Sequence, residues 1–467
     1  MLTRLKVSGF KNLLHLDVRF GPFTCIVGPN GIGKSNIFDA IHFLSLLADR
    51  PLMEAAAAVR DSGRKARDVL GLFYRSGEFI APRMDFEMDL LVPSSAEDDF
   101  GQKAEATITT LRYWLSIGRR ADQLVLLKEE LKHIPIREAK LGFGFPSEKE
   151  WRDSVVRGIR RAPYFISTDM NAQSVTIHQD GGGRGQPLSF PSGNLKRTVL
   201  AASNAAESPT VLVLRREMQS WLQLQLEPSS LRRADEFTDS PHLTASGEHV
   251  PATLDRLARN DPEAFYSALS NRLSQLVGGV GRIQAERDNA RQLIGAYVTF
   301  ADGTPHPASS LSDGTLRFLA LSILEKDPEF HGLLCLEEPE NGIHPERIPA
   351  MIQLLSDLAV DVELPVGSEN PLRQVIVNTH SPACAAEVPE ASLLQAAASI
   401  VEHDGLHLPT IALDPLSGSW RAEGGSRTMS RGALIGYLKP TARTSTRKGR
   451  VADRAEVQME LDLVAGP

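Results

Sequence analysis

Apolar and polar residues alternate with the period of a β-strand at the start of the chain, in Leu2 to Val7 and again in Leu14 to Arg19. Phe23 to Val27 reads as a further strand, and its apolar run Cys25, Ile26, Val27 suits a buried central position. The period then changes. From Ser35 the residues Ile37, Ile41, Leu44 and Ala48 fall on one face at helical spacing, and Asp49 to Pro51 close the segment. Strand alternation returns at Met84 to Leu91, and the polar stretch Pro93 to Gln102 reads as a linker. The middle of the chain is less regular, with strands expected at Ala106 to Ile117 and Leu124 to Leu127 and a glycine-rich loop without fixed shape at Gly181 to Gly185. One helix there is well marked. Asp261 stands as its N-cap, Pro262 at its first position and Glu263 in its first turn, and Phe265, Leu269, Leu273 and Leu276 carry it to Gly278. A hairpin, Val280 to Glu286 and Gln292 to Phe300, turns around Asp288 and Asn289.

The last third alternates again: helix at Thr315 to Glu325, strand at Leu333 to Leu336, helix at Pro349 to Leu358, strand at Gln374 to Val377. The pattern therefore predicts an α/β fold split by an α+β insertion, with boundaries at 1–95, 96–300 and 301–440 and an unpatterned basic tail over 441–467. No internal repeat and no sustained heptads are present, so the insertion is expected to be a compact lobe and not a coiled-coil arm.

Composition narrows the class. Of 467 residues 42% are hydrophobic and 23% charged, the balance of a soluble globular chain. Lys plus Arg number 51 against 58 Asp plus Glu, and the net charge of -7 excludes an overall cationic coat for nucleic acid while leaving room for a local basic face. No apolar run approaches the roughly 18 residues of a membrane span, and the opening MLTRLKVSGF lacks the apolar core of a secretion signal, so a cytoplasmic protein is expected. Cys25, Cys335 and Cys384 are far apart in sequence, which suits neither a disulfide framework nor a zinc site.

Four segments carry chemistry. Gly28 to Ser35 is a full G-x-x-x-x-G-K-S between a buried strand and a helix. Its glycines let backbone N–H groups wrap a polyphosphate, Lys34 supplies a point charge to the outer phosphates, and the Ser35 hydroxyl can ligate magnesium. Leu333 to Glu338 is an apolar strand that delivers two acids at its carboxyl end, one to hold a metal's water shell and one to orient and deprotonate the attacking water. The plain alternative is a strand end whose acids face solvent. Val375 to His380 is a further apolar strand ending in an imidazole that could meet the γ-phosphate or the water, or could simply lie at the surface. Leu311 to Phe318 puts Ser312 and Gly314 at a helix start, either as an ordinary N-cap or as a second phosphate-binding end. Lys34 and Ser312 are 278 residues apart, and two such ends make sense if the second serves the nucleotide of another copy.

With these motifs in this order the chain resembles the ATP-binding-cassette superfamily on its RecF/SMC-like side, and in particular the prokaryotic AAA-like ATPases related to the overcoming-lysogenization-defect proteins. Gly9 to Asn12 is similar to the opening turn of that branch, Gly28 to Ser35 to its Walker A, and Leu311 to Thr315 to its signature. Glu337 and Glu338 look like its Walker B and catalytic glutamate, Glu340 to Pro345 like its D-loop, and His380 like its switch histidine. The resemblance covers about residues 1–95 and 300–385, with a weaker likeness at Leu226 to Arg233 and Leu254 to Phe265. It implies ATP and Mg2+ as ligands, with Lys11, Asn12, Asn30, Gly31, Gly33, Lys34, Ser35, Asn36, Ser312 and Gly314 at the nucleotide and Ser35 and Glu337 at the metal. Lys34, Glu338 and His380 are implied as catalytic. It also implies a head-to-tail homodimer, or a higher even oligomer, in which one copy's Walker A and the other's signature enclose ATP. Two departures stand out: Glu337 where transport cassettes usually carry aspartate, and no recognisable Q-loop glutamine between 80 and 105.

The expected function is an ATPase whose dimerisation drives a DNA-linked process in repair or phage defence, partnered by a separate nuclease or toxin, since no nuclease constellation is legible. An ATP-sensing scaffold with little turnover needs the same residues. A transporter subunit fits less well, because its signature is expected about a hundred residues after Walker A. DNA contact would fall on the run from Arg112 to Arg161, twelve cations against seven acids, densest at Arg157 to Arg161. The same run could be a solvated face of mixed charge, and Trp114 and Trp151 within it suit a core better than base stacking.

Overall fold

The apolar runs at 25–27, 333–336 and 375–377 become the interior of one sheet. The computed structural model describes residues 1–59, 69–135, 137–138, 143–158, 164–180, 187–403, 405–422 and 427–438. Its central sheet has six strands in the order Leu222–Leu224, Gly332–Glu337, Arg373–Thr379, Phe23–Val27, Leu393–His403 and Leu406–Pro415. The first five run parallel, and the last closes an antiparallel hairpin. Successive residues of these strands enter two different cores. Ile26, Cys335 and Ile376 face one, while Cys25, Val27, Leu334, Leu336, Val375 and Val377 face the other. Both faces are thus covered, which is why the sequence shows unbroken apolar runs instead of alternation.

The first core is shared with an eight-stranded antiparallel sheet, ordered Leu188–Pro191, Ser174–Ile177, Tyr164–Asp169, Gln123–His133, Thr110–Arg120, Arg83–Leu91, Leu2–Ser8 and Leu16–Arg19. The helix Lys34–Leu47 joins the two through Ile37, Phe38, Ile41 and Leu44, and its Phe43 stacks on Phe10 at 5.8 Å between ring centroids. The second core lies under the helices Pro262–Val277, Asp313–Lys326 and Ile348–Leu358. Asp261 caps the first of these as the sequence suggests, accepting from the Ala264 amide at 3.0 Å.

The segment expected to form an inserted lobe is woven into the sheets at both ends. Five of its strands extend the antiparallel sheet that begins at Leu2, and Leu222–Leu224 forms an edge of the parallel sheet. The boundary near residue 96 therefore coincides with no break in the sheet, because strand 83–91 pairs directly with strand 110–120. The expected linker at Pro93 to Gln102 contains Ser95–Glu97, which pairs with Lys103–Glu105. Leu124 to Leu127 is the start of a longer strand, Gln123–His133. The glycine-rich loop at 181–185 and the basic tail at 441–467 lie outside the described residues. No helix among the described residues is long and apolar enough to cross a membrane.

Candidate nucleotide site

Parallel pairing brings the functional strand ends to one edge. Glu337 is in register with Asn378, and Thr379 with Val27, so the two acids, the histidine and the glycine loop leave the sheet side by side. The loop reaches its helix through Gly33, whose φ of 103° is open to glycine and strained for other residues. The backbone amides of Gly31, Ile32 and Gly33 meet no protein acceptor among the described residues. Such a row of free donors at a helix start is the polarity an oligophosphate requires.

Lys34 is 6% exposed and folds back on the loop, donating from Nζ to the carbonyls of Gly28 at 2.7 Å and Pro29 at 3.0 Å. Burial lowers its pKa, and the carboxylates of Glu338, Glu337 and Glu340 pull the other way. Ser35 Oγ donates to Glu337 Oε2 at 2.6 Å across 302 residues of sequence. Hydroxyl and carboxylate oxygen side by side suit a hard divalent cation such as Mg2+. Glu340 adds an acceptor: Thr379 Oγ1 donates to one of its oxygens, and the other is buried with no partner among the described residues.

Glu338 turns out of the strand at φ 48°, a left-handed conformation that costs a glutamate about 1–3 kcal/mol and tends to persist at functional sites. Its carboxylate is held on two sides, by His380 Nδ1 at 2.8 Å and by Asn341 Nδ2 at 2.7 Å. Imidazole and carboxylate thus form a pair in which the histidine can orient the acid that would face water.

Lys11, Asn12 and Asn36 brace the loop. Lys11 Nζ lies 2.7 Å from Asp39 of the following helix. Asn12 donates to the Ile32 carbonyl at 3.0 Å and accepts from Asn36 Nδ2 at 2.7 Å. Asn30 and Gly31 are exposed at the loop's tip. Ser312 is also exposed and caps its own helix, bonding the Thr315 amide at 3.2 Å and sharing a proton with the Thr315 hydroxyl at 2.9 Å. Its loop touches the segment after the acids: a Cβ on Gly314 would lie 3.0 Å from the Gly342 carbonyl. Arg232 clamps the same loop, donating to the Leu311 carbonyl and to Asp313. Among the described residues, neither Ser312 nor Gly314 is hydrogen-bonded to the glycine loop of its own chain.

A glutamine beside the acids escaped the sequence reading. Gln223 sits on the strand next to Glu337 and points Nε2 at its Oε1, at 3.5 Å. Its signal was the alternation Leu222, Gln223, Leu224, Gln225, in a region assigned to the insertion and far from residues 80–105. The basic run fares differently. Arg112 is bidentate to Asp89, Arg152 is bound to Ser147, and Lys128 pairs with Glu130 at 3.0 Å. Lys140, Arg160 and Arg161 lie outside the described residues. Trp151 is fully buried, and Lys128 covers the half-exposed Trp114 ring at 3.8 Å from its centroid.

Family comparison matches this site in two pieces. Residues 198–385 match the model described as "AAA domain, putative AbiEii toxin, Type IV TA system", and residues 1–57 match the RecF/RecN/SMC N-terminal domain. Motif order and these matches make the chain similar to RecF/SMC-like ATP-binding-cassette ATPases, and among them to those related to the overcoming-lysogenization-defect proteins. The DNA replication and repair protein RecF of Porphyromonas gingivalis is 46% identical over 46 residues, 10% of this chain and 13% of that protein. The OLD nuclease of Thermus scotoductus is 54% identical over 41 residues, 9% of this chain and 8% of that protein. The chain thus spans only about an eighth or less of the length of these curated relatives. A solved SMC head bound to the C-terminal winged-helix domain of ScpA is 14% identical, with 88% of this chain and 97% of that one covered at a TM-score of 0.44.

Proposed function

We propose that the chain is an ATP-hydrolysing head that closes on a second copy around shared nucleotides and so drives or gates a DNA-linked process in the cytoplasm. The observation that carries the reading is the 2.6 Å contact between Ser35 and Glu337, with Glu338 beside it held by His380. Ser35 and Glu337 would hold Mg2+, which would offset phosphate charge there. The amides of Gly31 to Gly33 and Lys34 bind the phosphates. Glu338 accepts the proton of the attacking water, and His380 keeps that carboxylate aimed. Gln223 steadies Glu337 from the neighbouring strand.

The exposed Ser312 loop, unbonded to its own glycine loop, is suited to cap the nucleotide of a second copy. Likeness to a RecF protein and to an OLD nuclease supports work on DNA in repair or phage defence. In that reading a separate nuclease or toxin supplies the damaging chemistry. The internal pairing of Arg112, Lys128 and Arg152 argues against one continuous phosphate-binding face on 112–161.

The test is Glu338→Gln. Nucleotide affinity should stay within about twofold while phosphate release falls by about two to four orders of magnitude, the range for loss of a general base. Undiminished turnover would remove Glu338 from the role.

A further inference from the structure

The short helix Arg431–Leu438 belongs to none of the motifs, yet it leans on the site. It is anchored by Met429, which is buried, bridges to Leu416, donates to the Pro415 carbonyl at 2.8 Å and accepts from the Ser417 amide at 3.0 Å. Leu434, Tyr437 and Leu438 pack against the core that holds Val27, Val377 and Cys384. Tyr437 then reaches past that core. Its hydroxyl donates to the carbonyl of His380 at 2.9 Å. Burial and the neighbouring Cys25 thiol push the phenol up to about 12, while the backbone of Gly28, first residue of the phosphate loop, acts on the same oxygen in the opposite sense. The phenol therefore keeps its proton, and remains a donor, across the working pH range.

His380 has reason to need such a hold. Its ring is 40% exposed, so packing does little to fix it, and its imidazole is held at Glu338. Its backbone lies where a strand becomes a helix: Thr379 is the last strand residue, and Ser381 caps Pro382–Glu387 while donating its amide to Thr379 Oγ1 at 2.8 Å. The His380 carbonyl, in the middle of this turn, is bonded by Tyr437.

We propose that Tyr437 is a positioning residue for the hydrolytic step, fixing the His380 peptide and through it the imidazole that aims Glu338. The proposal rests on the ATPase reading above. It also gives the helix 431–438 a part in turnover that no nucleotide-binding motif assigns to it.

The experiment is a double-mutant cycle on the full chain, measuring phosphate release, nucleotide affinity and melting temperature for Tyr437→Phe, His380→Ala and the pair. Phenylalanine keeps the ring's packing and removes only the hydroxyl. A single neutral hydrogen bond corresponds to about fivefold in rate, so Tyr437→Phe should lower kcat by about that factor with Kd and melting temperature unchanged. In the His380→Ala background the same change should do nothing further, because the imidazole it positions is gone. Wild-type kcat in Tyr437→Phe, or an equal loss in both backgrounds, overturns the proposal while leaving the ATPase reading intact. A wild-type chain with no Glu338-dependent turnover overturns both.

Discussion

Gly33 and Gly31 both have positive φ, 103° and 78°, but their surroundings differ, and that difference can be measured. A Cβ built on Gly33 would lie 1.9 Å from Asn12 Nδ2 and 2.7 Å from its Cγ, whereas one on Gly31 meets nothing within 4 Å. Asn12 cannot step aside freely, since its amide bonds both the Ile32 carbonyl and Asn36. For Gly31→Ala the penalty is the left-handed backbone alone, about 1–2 kcal/mol. For Gly33→Ala the same backbone term is joined by the loss of two hydrogen bonds at about 1 kcal/mol each, for a total of about 3–4 kcal/mol. If that cost falls on the loop conformation that receives phosphate, Gly33→Ala weakens nucleotide binding by about two to three orders of magnitude, and Gly31→Ala by about one. Titration of each variant with a fluorescent ATP analogue reads both constants, and a thermal melt checks that the fold survives. Equal affinities in the two variants would refute the argument, because the bracing by Asn12 would then play no part in shaping the loop.

Two further outcomes follow from other parts of the molecule. Ser312→Arg puts a long cation on the exposed loop proposed to face a second copy, and should leave nucleotide binding intact while abolishing the ATP-dependent rise in mass seen by light scattering. Glu129 is fully buried, and burial raises its pKa from 4.5 to about 7 against the opposing amides of Val199 and Leu200 and the Tyr113 hydroxyl. The folded chain then binds this proton more tightly than the unfolded one. Its contribution is fully present below about pH 4.5 and is lost as pH rises through about 7, amounting to about 3 kcal/mol at most. Urea unfolding at pH 5 and pH 8 should give a pH dependence that Glu129→Gln flattens. An unchanged dependence in that variant would contradict the assignment.

Much of the site was legible because it is local. Gly28 to Ser35, Glu337 with Glu338, and His380 each sit at the end of an apolar run, and a run buried on both faces has an unmistakable sequence pattern. The mutual positions of these runs were legible only through family resemblance, since register between strands separated by hundreds of residues leaves no periodic trace. Gln223 went unseen for a related reason. Its strand is three residues long and at the sheet's edge, too short for alternation to stand out. The sheets to which the strands of 96–300 belong were not legible, because a half-buried strand of an extended sheet looks the same as one in a separate domain. Tyr437 offered no motif at all: the role proposed for it depends on a single hydroxyl meeting a carbonyl 57 residues earlier.

The Phe23–Val27 strand pairs on one side with Arg373–Thr379 and on the other with Leu393–His403. On the ribosome, the first thirty residues emerge long before either neighbour exists. The glycine loop must wait, unsupported, for more than three hundred further residues of translation before its sheet can zip around it. Contacts this distant in sequence assemble slowly and leave apolar edges exposed meanwhile. The glycine loop therefore remains without its flanking strands on the nascent chain until residues 373–403 have been made.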